Sequence, residues 1–248
     1  MPNLKNYYRP GALEEALEIL AAEGPGATLL AGGTWLIPRL EETETVVDLQ
    51  DCELDAVSIS KRSAALGAMV TLEQLVTDSR LPALLRDTAR LEGPNTFRQQ
   101  ATIGGVIAGA SPTSELLAAL LVHDAEVTLA RRAGAESRSL ASFLASEQRA
   151  PAGAILTGVS LQLEGATAHE RVARTPIDEP IVAALARLTP AGEIRLAVCG
   201  MGETPLLVDP AAVDDLPAQA DFRGSAKYRQ QMASLLCSRV LKSLSGSS

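Results

Sequence analysis

The amino-acid sequence predicts a mixed fold, α/β in its first part and α+β towards its end. Over the first part of the chain, short apolar runs typical of buried strands alternate with amphipathic helical segments. Residues 164–168 are the best candidate for a domain boundary, and beyond them the pattern is rich in strands and closes with one long amphipathic segment. Hydrophobic residues make up 46% and charged residues 21%, which agrees with a globular chain that buries a core.

The individual elements follow from local patterns. Residues 11–23 carry apolar side chains at helical spacing, and residues 28–31 form a short apolar run that leads into a diglycine. Thr71 and Gln74 have the spacing of a capping box, which predicts a short helix there. The same signals predict a helix over 81–91 and strands over 45–49, 64–70, 126–130, 154–163, 181–188 and 193–199, the last two joined by a hairpin turn at 190–192.

Two serines are predicted to cap helices. Ser111 is a favourable N-cap with Pro112 at the first helical position, and Ser225 is a favourable N-cap for the final helix. The apolar face of that final helix is predicted at five positions: Tyr228, Met232, Leu235, Leu236 and Leu241.

Charge and composition exclude several classes of function. The net charge of −8 and the sequence pI of about 4.9 argue against nucleic-acid or anionic-membrane binding. Three scattered cysteines and two histidines do not suffice for a metal or iron–sulfur site, and the cysteines are expected to be inert buried thiols. No segment approaches the roughly 20 apolar residues of a membrane span, and residues 1–10 lack a signal sequence, so a cytoplasmic location is expected.

A pair of diglycine segments is the most informative constellation. Ala31-Gly32-Gly33-Thr34 follows a predicted strand, and Thr102-Ile103-Gly104-Gly105 is predicted as a loop before a helix. Paired glycines allow consecutive backbone N–H groups to converge on an anion, and a pyrophosphate is the natural ligand. Neither segment matches the dinucleotide-binding GxGxxG pattern, and no Walker-type lysine is near. The alternative is that these glycines serve only as turns and packing points.

Several ordered motifs carry a family resemblance over nearly the whole chain. They are Tyr8-Arg9-Pro10 with Leu13-Glu14-Glu15-Ala16-Leu17, the two diglycine segments, Ala110-Ser111-Pro112 with Glu115, and Ser225 to Tyr228-Arg229. With these motifs the sequence resembles the FAD-binding medium subunits of the molybdenum hydroxylases, the family of xanthine dehydrogenase and carbon monoxide dehydrogenase. The resemblance implies a FAD-binding domain of the PCMH or vanillyl-alcohol-oxidase type over residues 1–164, with two α/β subdomains at roughly 1–55 and 56–164. It also implies a small α+β domain, an antiparallel sheet with helices, over 165–248.

The resemblance also implies which residues hold FAD. The segment 29–36 is expected to wrap the phosphates, 102–106 with Ser111 and Glu115 to hold the phosphate, ribose and adenine side, and Leu156 to lie near the isoalloxazine ring. The full set is Leu29, Leu30, Ala31, Gly32, Gly33, Thr34, Trp35, Leu36, Thr102, Ile103, Gly104, Gly105, Val106, Ser111, Glu115 and Leu156. No catalytic residue is assigned, because the chemistry belongs to the cofactor.

The sequence departs from the family pattern at three of these positions. Val106 stands where relatives usually have Asn, Glu115 where they usually have Asp, and Trp35 where they commonly have a smaller or polar residue. Trp35 could pack on the cofactor, face a partner or pack ordinarily. Arg171 and Arg174, in a segment that aligns loosely with a Lys or Arg pair of the relatives, could attract NAD or a partner, or form a solvated basic strand edge.

As a member of this family, the chain is expected to be the electron-exit subunit of a molybdenum hydroxylase complex. Its partners would be an iron–sulfur subunit and a molybdopterin-binding large subunit, in an assembly of three subunit types that is possibly doubled. The molybdenum-pterin cofactor and the [2Fe-2S] clusters are expected only in those partners, and NAD⁺ or another acceptor would receive the electrons. Two alternatives stay open: an assembly subunit that has lost flavin, and a self-contained flavin oxidase.

Overall fold

The computed structural model describes residues 4–146, 149–150 and 153–246. Within these residues the chain forms three β-sheets and eight α-helices, so the predicted mixed fold class is confirmed. No helix in this described part combines the length and the apolarity that a membrane crossing requires. Cys52, Cys199 and Cys237 are buried and unpaired, and burial raises the pKa of each thiol, as expected for inert positions.

The first sheet is parallel, with strand order β1-β3-β2. Its elements are β1 (Asn6–Tyr8), α1 (Leu13–Glu23), β2 (Ala27–Leu30) and β3 (Thr45–Asp48). Ala16, Leu17 and Leu20 of α1 are buried in one cluster with Val47 of β3, because their helical spacing puts them on one face. The carboxyl ends of β2 and β3 lie side by side, since Leu30 pairs with Asp48. This parallel arrangement directs the segment after β2 away from the sheet.

The second sheet is antiparallel, with order β4-β5-β8-β6-β7. Its strands are β4 (Val57–Ile59), β5 (Ser63–Gly67), β6 (Glu126–Arg131), β7 (Gly134–Ser139) and β8 (Ile155–Gln162). The associated helices are α2 (Leu72–Thr77), α3 (Ala83–Leu91), α4 (Asn95–Arg98), α5 (Ile103–Gly109), α6 (Glu115–Val122) and α7 (Leu140–Ala145). Thr71 and Gln74 form the predicted capping box on α2. All eight residues of α6 are buried, so this helix lies at the centre of the largest core.

The third sheet is antiparallel, with order β12-β11-β10-β9, and is covered by the last helix. Its elements are β9 (Ala166–Val172), β10 (Val182–Leu188), β11 (Ile194–Cys199), β12 (Leu206–Leu207) and α8 (Ala226–Ser245). The predicted β10–β11 hairpin is confirmed, and Ser225 caps α8 by accepting the Tyr228 N–H.

The predicted apolar face of α8 is wrong in part. Leu235 is 43% exposed, whereas the buried face runs through Arg229, Ala233, Leu236, Cys237 and Val240. Arg229 takes a core-facing position because its guanidinium donates to the carbonyl oxygens of Ile181 and Gly200. A charged residue that is satisfied by buried carbonyls is invisible to a pattern that counts apolar residues.

Helix α6 joins the second and third sheets. The face of β10 and β11 that points away from α8 belongs to the same core cluster as α6. Arg187, 2% exposed, strengthens this junction, because its Nε donates to Val122 O at 2.6 Å and its Nη1 to Glu164 O at 3.0 Å. The largest core therefore continues past residue 164, and a division into domains at that residue stays a prediction.

Candidate cofactor site

The first diglycine lies in an open loop that follows the carboxyl end of β2. Gly33 has φ +75°, a left-handed conformation that favours glycine, and its carbonyl accepts the Ile37 N–H at 2.9 Å. A Cβ at residue 33 would also lie only 2.6 Å from Ile37 Cδ1. The backbone conformation therefore favours glycine at this position, whereas the exposed end of the Ile37 side chain could move aside for a Cβ. We call residues 31–36 the phosphate loop.

The backbone N–H groups of the phosphate loop make no hydrogen bond to the part of the chain that the structure describes. No described residue accepts a hydrogen bond from any of the six N–H groups of residues 31–36. The side chain of Leu36 is buried, while that of Trp35 is 54% exposed. Unpaired backbone donors in a surface loop need an external acceptor, and successive N–H groups of this kind suit an anion with several oxygens.

The second diglycine is not a loop, and this corrects the prediction. Thr102 is the N-cap of α5 and accepts the Gly105 N–H at 3.1 Å, so both glycines lie in the first helical turn. The N–H groups of Ile103 and Gly104 donate to Val70 O and Ala68 O, each at 2.9 Å. These donors are therefore used inside the protein and do not converge on a ligand.

Ser111 is not the cap of the following helix, because α5 ends at Ala110 in a left-handed conformation and a turn intervenes. Ser114 caps α6 instead, and its Oγ accepts the Leu117 N–H at 3.0 Å. The sequence signal was ambiguous here, since both serines precede the apolar run at a distance suitable for an N-cap.

The phosphate loop lies alongside α5. A Cβ at residue 32 would lie 1.6 Å from Gln100 O, just before the start of α5, and a Cβ on Gly109 would lie 3.7 Å from Trp35 Cδ1, at its end. Among described residues, the only atom that a Cβ on Gly105 would meet within 4 Å is Thr102 Oγ1. The loop therefore lies beside a helix in which Gly105 is half-buried and Gly109 is exposed, whereas Gly104 is buried.

Leu156 belongs to the same neighbourhood. It is half-buried on β8, beside the bulge at Thr128 and Leu129. The next residue, Thr157, accepts the Ala68 N–H at 2.9 Å, and Ala68 in turn accepts the Gly104 N–H at 2.9 Å. Two hydrogen bonds thus connect the strand that carries Leu156 to the beginning of α5.

Ser111 and Glu115 lie in a separate polar cleft at the far end of α5, together with Glu92, Thr113 and Glu179. Thr113 Oγ1 donates to Glu179 at 3.1 Å and is 3.2 Å from Ser111 Oγ. Sequence reasoning missed Glu92, whose Oε1 accepts the Ser114 hydroxyl at 2.6 Å. Burial raises the pKa of Glu92 to about 7.

Glu115 is 2% exposed and contacts two side chains of β9, His169 and Arg171. Its Oε2 lies 2.5 Å from His169 Nε2, and Arg171 Nε donates to its two oxygens at 3.0 and 3.1 Å. Arg171 also donates to the carbonyl oxygens of Pro176 and Asp178. Of the two arginines of this segment, Arg171 is therefore a structural anchor, whereas Arg174 is exposed. No sequence signal links these partners, which are 54 and 56 residues apart.

Comparison with known proteins identifies the class to which this fold and this site belong. Residues 3–161 match the family described as the FAD binding domain in molybdopterin dehydrogenase, and the chain belongs to that family. The carbon monoxide dehydrogenase medium chain of Afipia carboxidovorans is 28% identical over 98% of this chain and 97% of its own length. YgfM of Escherichia coli K12 is 28% identical over 94% of this chain and 93% of its own length. A crystal structure of Cu,Mo-CO dehydrogenase in its cyanide-inactivated form is 25% identical, with a TM-score of 0.88 and full coverage of both chains.

The expected resemblance and fold type are thus confirmed, and the chain is a FAD-binding, oxidoreductase-type subunit of the molybdenum hydroxylase class. The residues present fit the cofactor. The phosphate loop offers N–H donors without an acceptor among the described residues, and Gly105 and Gly109 of α5, unlike the buried Gly104, allow close approach of a group to the backbone.

Proposed function

We propose that this chain binds FAD with its pyrophosphate in the phosphate loop and acts as the electron-exit subunit of a molybdenum hydroxylase complex. The observation that carries this proposal is the run of six backbone N–H groups without an internal acceptor among the described residues, set alongside α5. In a chain of net charge −8, such local dipoles must supply the attraction for a dianion.

Each part of the proposed site has its own task. The N–H groups of residues 31–36 and the Thr34 hydroxyl donate to phosphate oxygens, while Leu29 and Leu30 lead the chain into the loop. Residues 102–106 line the opposite side, where Thr102 keeps α5 in register through its cap. Leu156 lies on the isoalloxazine side.

Ser111 and Glu115 would hold the ribose and adenine side. Glu115 already accepts from His169 and Arg171, and a carboxylate has about four acceptor positions, so one position is left for a ribose hydroxyl. In this proposal, His169 and Arg171 fix the orientation of the Glu115 carboxylate.

When bound, FAD would supply the ability to accept electrons one at a time and to release two together. The chain itself positions the flavin and excludes water around it. The donors would be the iron–sulfur clusters of a partner subunit, which a molybdopterin-binding large subunit reduces, and NAD⁺ or another acceptor would be the recipient. A cytoplasmic assembly of three subunit types, possibly doubled, completes the proposal.

FAD binding can be tested with the single tryptophan of the chain, Trp35, which lies in the phosphate loop. We expect FAD to quench its emission in a saturable titration and flavin absorption bands to persist after desalting. The Trp35→Phe variant should lose the emission signal, which assigns the quenched emission to the phosphate loop. Neither quenching nor retained flavin in the wild-type chain would contradict FAD binding and favour an assembly role.

The electron-transfer role needs a separate test on the assembled complex. Substrate of the complex should bleach the flavin bands only when the iron–sulfur and large subunits are present. Turnover by the isolated chain, without these partners, would favour a self-contained flavin oxidase.

A further inference from the structure

The side chain of Arg39 makes two contacts with a single residue of the phosphate loop. Its guanidinium carbon lies 4.5 Å from the centroid of the Trp35 ring, and its Nη1 donates to the Trp35 carbonyl oxygen at 2.7 Å. A cation over an indole face is the strongest form of cation–π contact. Among the residues whose side chains are described, no carboxylate lies within 4.0 Å of this guanidinium.

Trp35 also connects the phosphate loop to α5. Its Cδ1 lies 3.7 Å from the position that a Cβ on Gly109 would take. The indole is therefore held between the Arg39 guanidinium and the end of α5, although it is 54% exposed. The structure thus gives Trp35 a packing role within the loop.

The hydrogen bond to the Trp35 carbonyl has a consequence for the next residue. A trans peptide unit is planar, so its C=O and its N–H point in opposite directions. Because Arg39 fixes the Trp35 carbonyl, it also fixes the direction of the Leu36 N–H, one of the six unpaired donors of the phosphate loop. The Ile37 N–H donates to the Gly33 carbonyl at 2.9 Å. Because the Gly33 carbonyl and the Thr34 N–H belong to one peptide unit, this hydrogen bond fixes the direction of the Thr34 N–H.

We propose that Trp35 and Arg39 form a clasp that holds the phosphate loop in the conformation in which the Leu36 N–H faces the pyrophosphate. Both are positioning residues, and the clasp rests on the proposed function of FAD binding. It acts through the backbone of the loop and needs no contact between either side chain and the flavin ring.

The test compares Arg39→Gln and Arg39→Lys with Arg132→Gln, an exposed arginine in the β6–β7 turn that undergoes the same change of charge. Arg39→Gln should weaken FAD binding about tenfold, the combined loss of a cation–π contact and a charged hydrogen bond. Arg39→Lys should recover part of this affinity, and Arg132→Gln should bind as the wild type does. Binding of riboflavin, which has no phosphate, should be unchanged in all variants.

Trp35 emission tests the clasp in the absence of FAD. In Arg39→Gln, the indole should become more accessible to acrylamide, whereas the melting temperature of the FAD-free chain should not change. Wild-type FAD affinity in Arg39→Gln, or an equal loss of FAD and riboflavin binding, would overturn the clasp. Failure of the wild-type chain itself to bind FAD would overturn the proposed function, which is a different result.

Discussion

The two diglycine segments share a Gly-Gly dipeptide but have opposite backbone environments. In the phosphate loop, six consecutive N–H groups have no acceptor among the described residues. In the first turn of α5, the N–H groups of Ile103, Gly104 and Gly105 donate to Val70 O, Ala68 O and Thr102 Oγ1. Only the first segment retains donors for an anion, while the second forms a rigid wall beside it.

This difference separates two uses of glycine. Gly33 permits a left-handed backbone and Gly32 permits contact with Gln100 O, so both are required to form the phosphate loop. Gly104 permits contact with Ala68, and a Cβ on Gly105 would meet only Thr102 Oγ1, at 3.2 Å, among the described atoms outside the backbone of α5. The N–H groups at the start of α5 already form hydrogen bonds in the folded chain and so contribute to its stability. Those of the phosphate loop have no acceptor among the described residues and stay available to the proposed ligand.

The largest expected effect is at Gly32. In Gly32→Ala, the new Cβ would lie 1.6 Å from Gln100 O, so the loop must move away from α5. We expect FAD affinity to fall at least about a hundredfold, which corresponds to about 2.7 kcal/mol. Fluorescence titration with FAD measures this change. Gly26→Ala is the matched control, because a Cβ there meets nothing within 4 Å. Retained FAD affinity in Gly32→Ala would contradict the placement of the pyrophosphate.

The neighbouring glycines of α5 should separate folding from binding. In Gly104→Ala, the Cβ would lie 2.7 Å from Ala68 O, and we expect a loss of roughly 2–3 kcal/mol in the free energy of unfolding. Gly105→Ala should leave this free energy unchanged or raise it by up to about 1 kcal/mol, because alanine favours a helix. The same Gly105 variant should weaken FAD binding, because in the proposed site residues 102–106 line the cofactor across from the phosphate loop and the new methyl group would take up space there. Urea denaturation of the FAD-free chain measures the first effect, and equal unfolding of both variants would contradict the assignment.

The pH dependence of stability should originate near α6 and not in the phosphate loop. Glu92 has a pKa raised to about 7, from an ordinary value of 4.5, so its contribution is present below about pH 4.5 and is lost as the pH rises through 7. Glu92→Gln should therefore raise the free energy of unfolding at about pH 8 by roughly 2 kcal/mol and have little effect near pH 4. Glu18→Gln, an exposed change of the same charge, is the control.

His123 changes the free energy of unfolding with pH in the opposite direction to Glu92. Burial lowers its pKa to about 4 from 6.5, so its contribution is present above about pH 6.5 and is lost as the pH falls through 4. In Glu92→Gln, stability should consequently decrease steadily on acidification. A variant that keeps the wild-type pH profile would show that Glu92 does not titrate near neutrality.

The smallest expected effect is at Val106, where the family usually has Asn. Val106 is half-buried on α5, and its N–H already donates to Thr102 O. Val106→Asn should strengthen FAD binding a few-fold, the contribution of about one additional hydrogen bond. Ala108→Asn, exposed on the same helix, controls for the effect of asparagine on helix stability. Equal FAD affinity in the two variants would place position 106 outside the site.

Much of the fold could be predicted, because its signals are local. The capping box of Thr71 and Gln74, the cap at Ser225 and the hairpin at 190–192 depend on residues within four positions of one another. Of the candidate site, the sequence singled out both diglycine segments, but it predicted the second as a loop, whereas the structure places it in the first turn of α5. The sequence prediction misplaced the N-cap of α6, because Ser111 and Ser114 satisfy the same local rule and only the turn after Ala110 decides between them. It also omitted Glu92, which binds Ser114 from 22 residues away in the chain.

The sequence by itself determined the fold class and the family, and it singled out the two diglycine segments as candidates for cofactor binding. Only the tertiary structure decided which glycine segment keeps its N–H groups free, because the acceptors of the second segment are at Val70 and Ala68, far from it in the chain. It also decided that Glu115 binds His169 and Arg171 and that Arg39 covers Trp35. A local pattern specifies which donors and charges exist, whereas packing between distant segments determines which of them are satisfied.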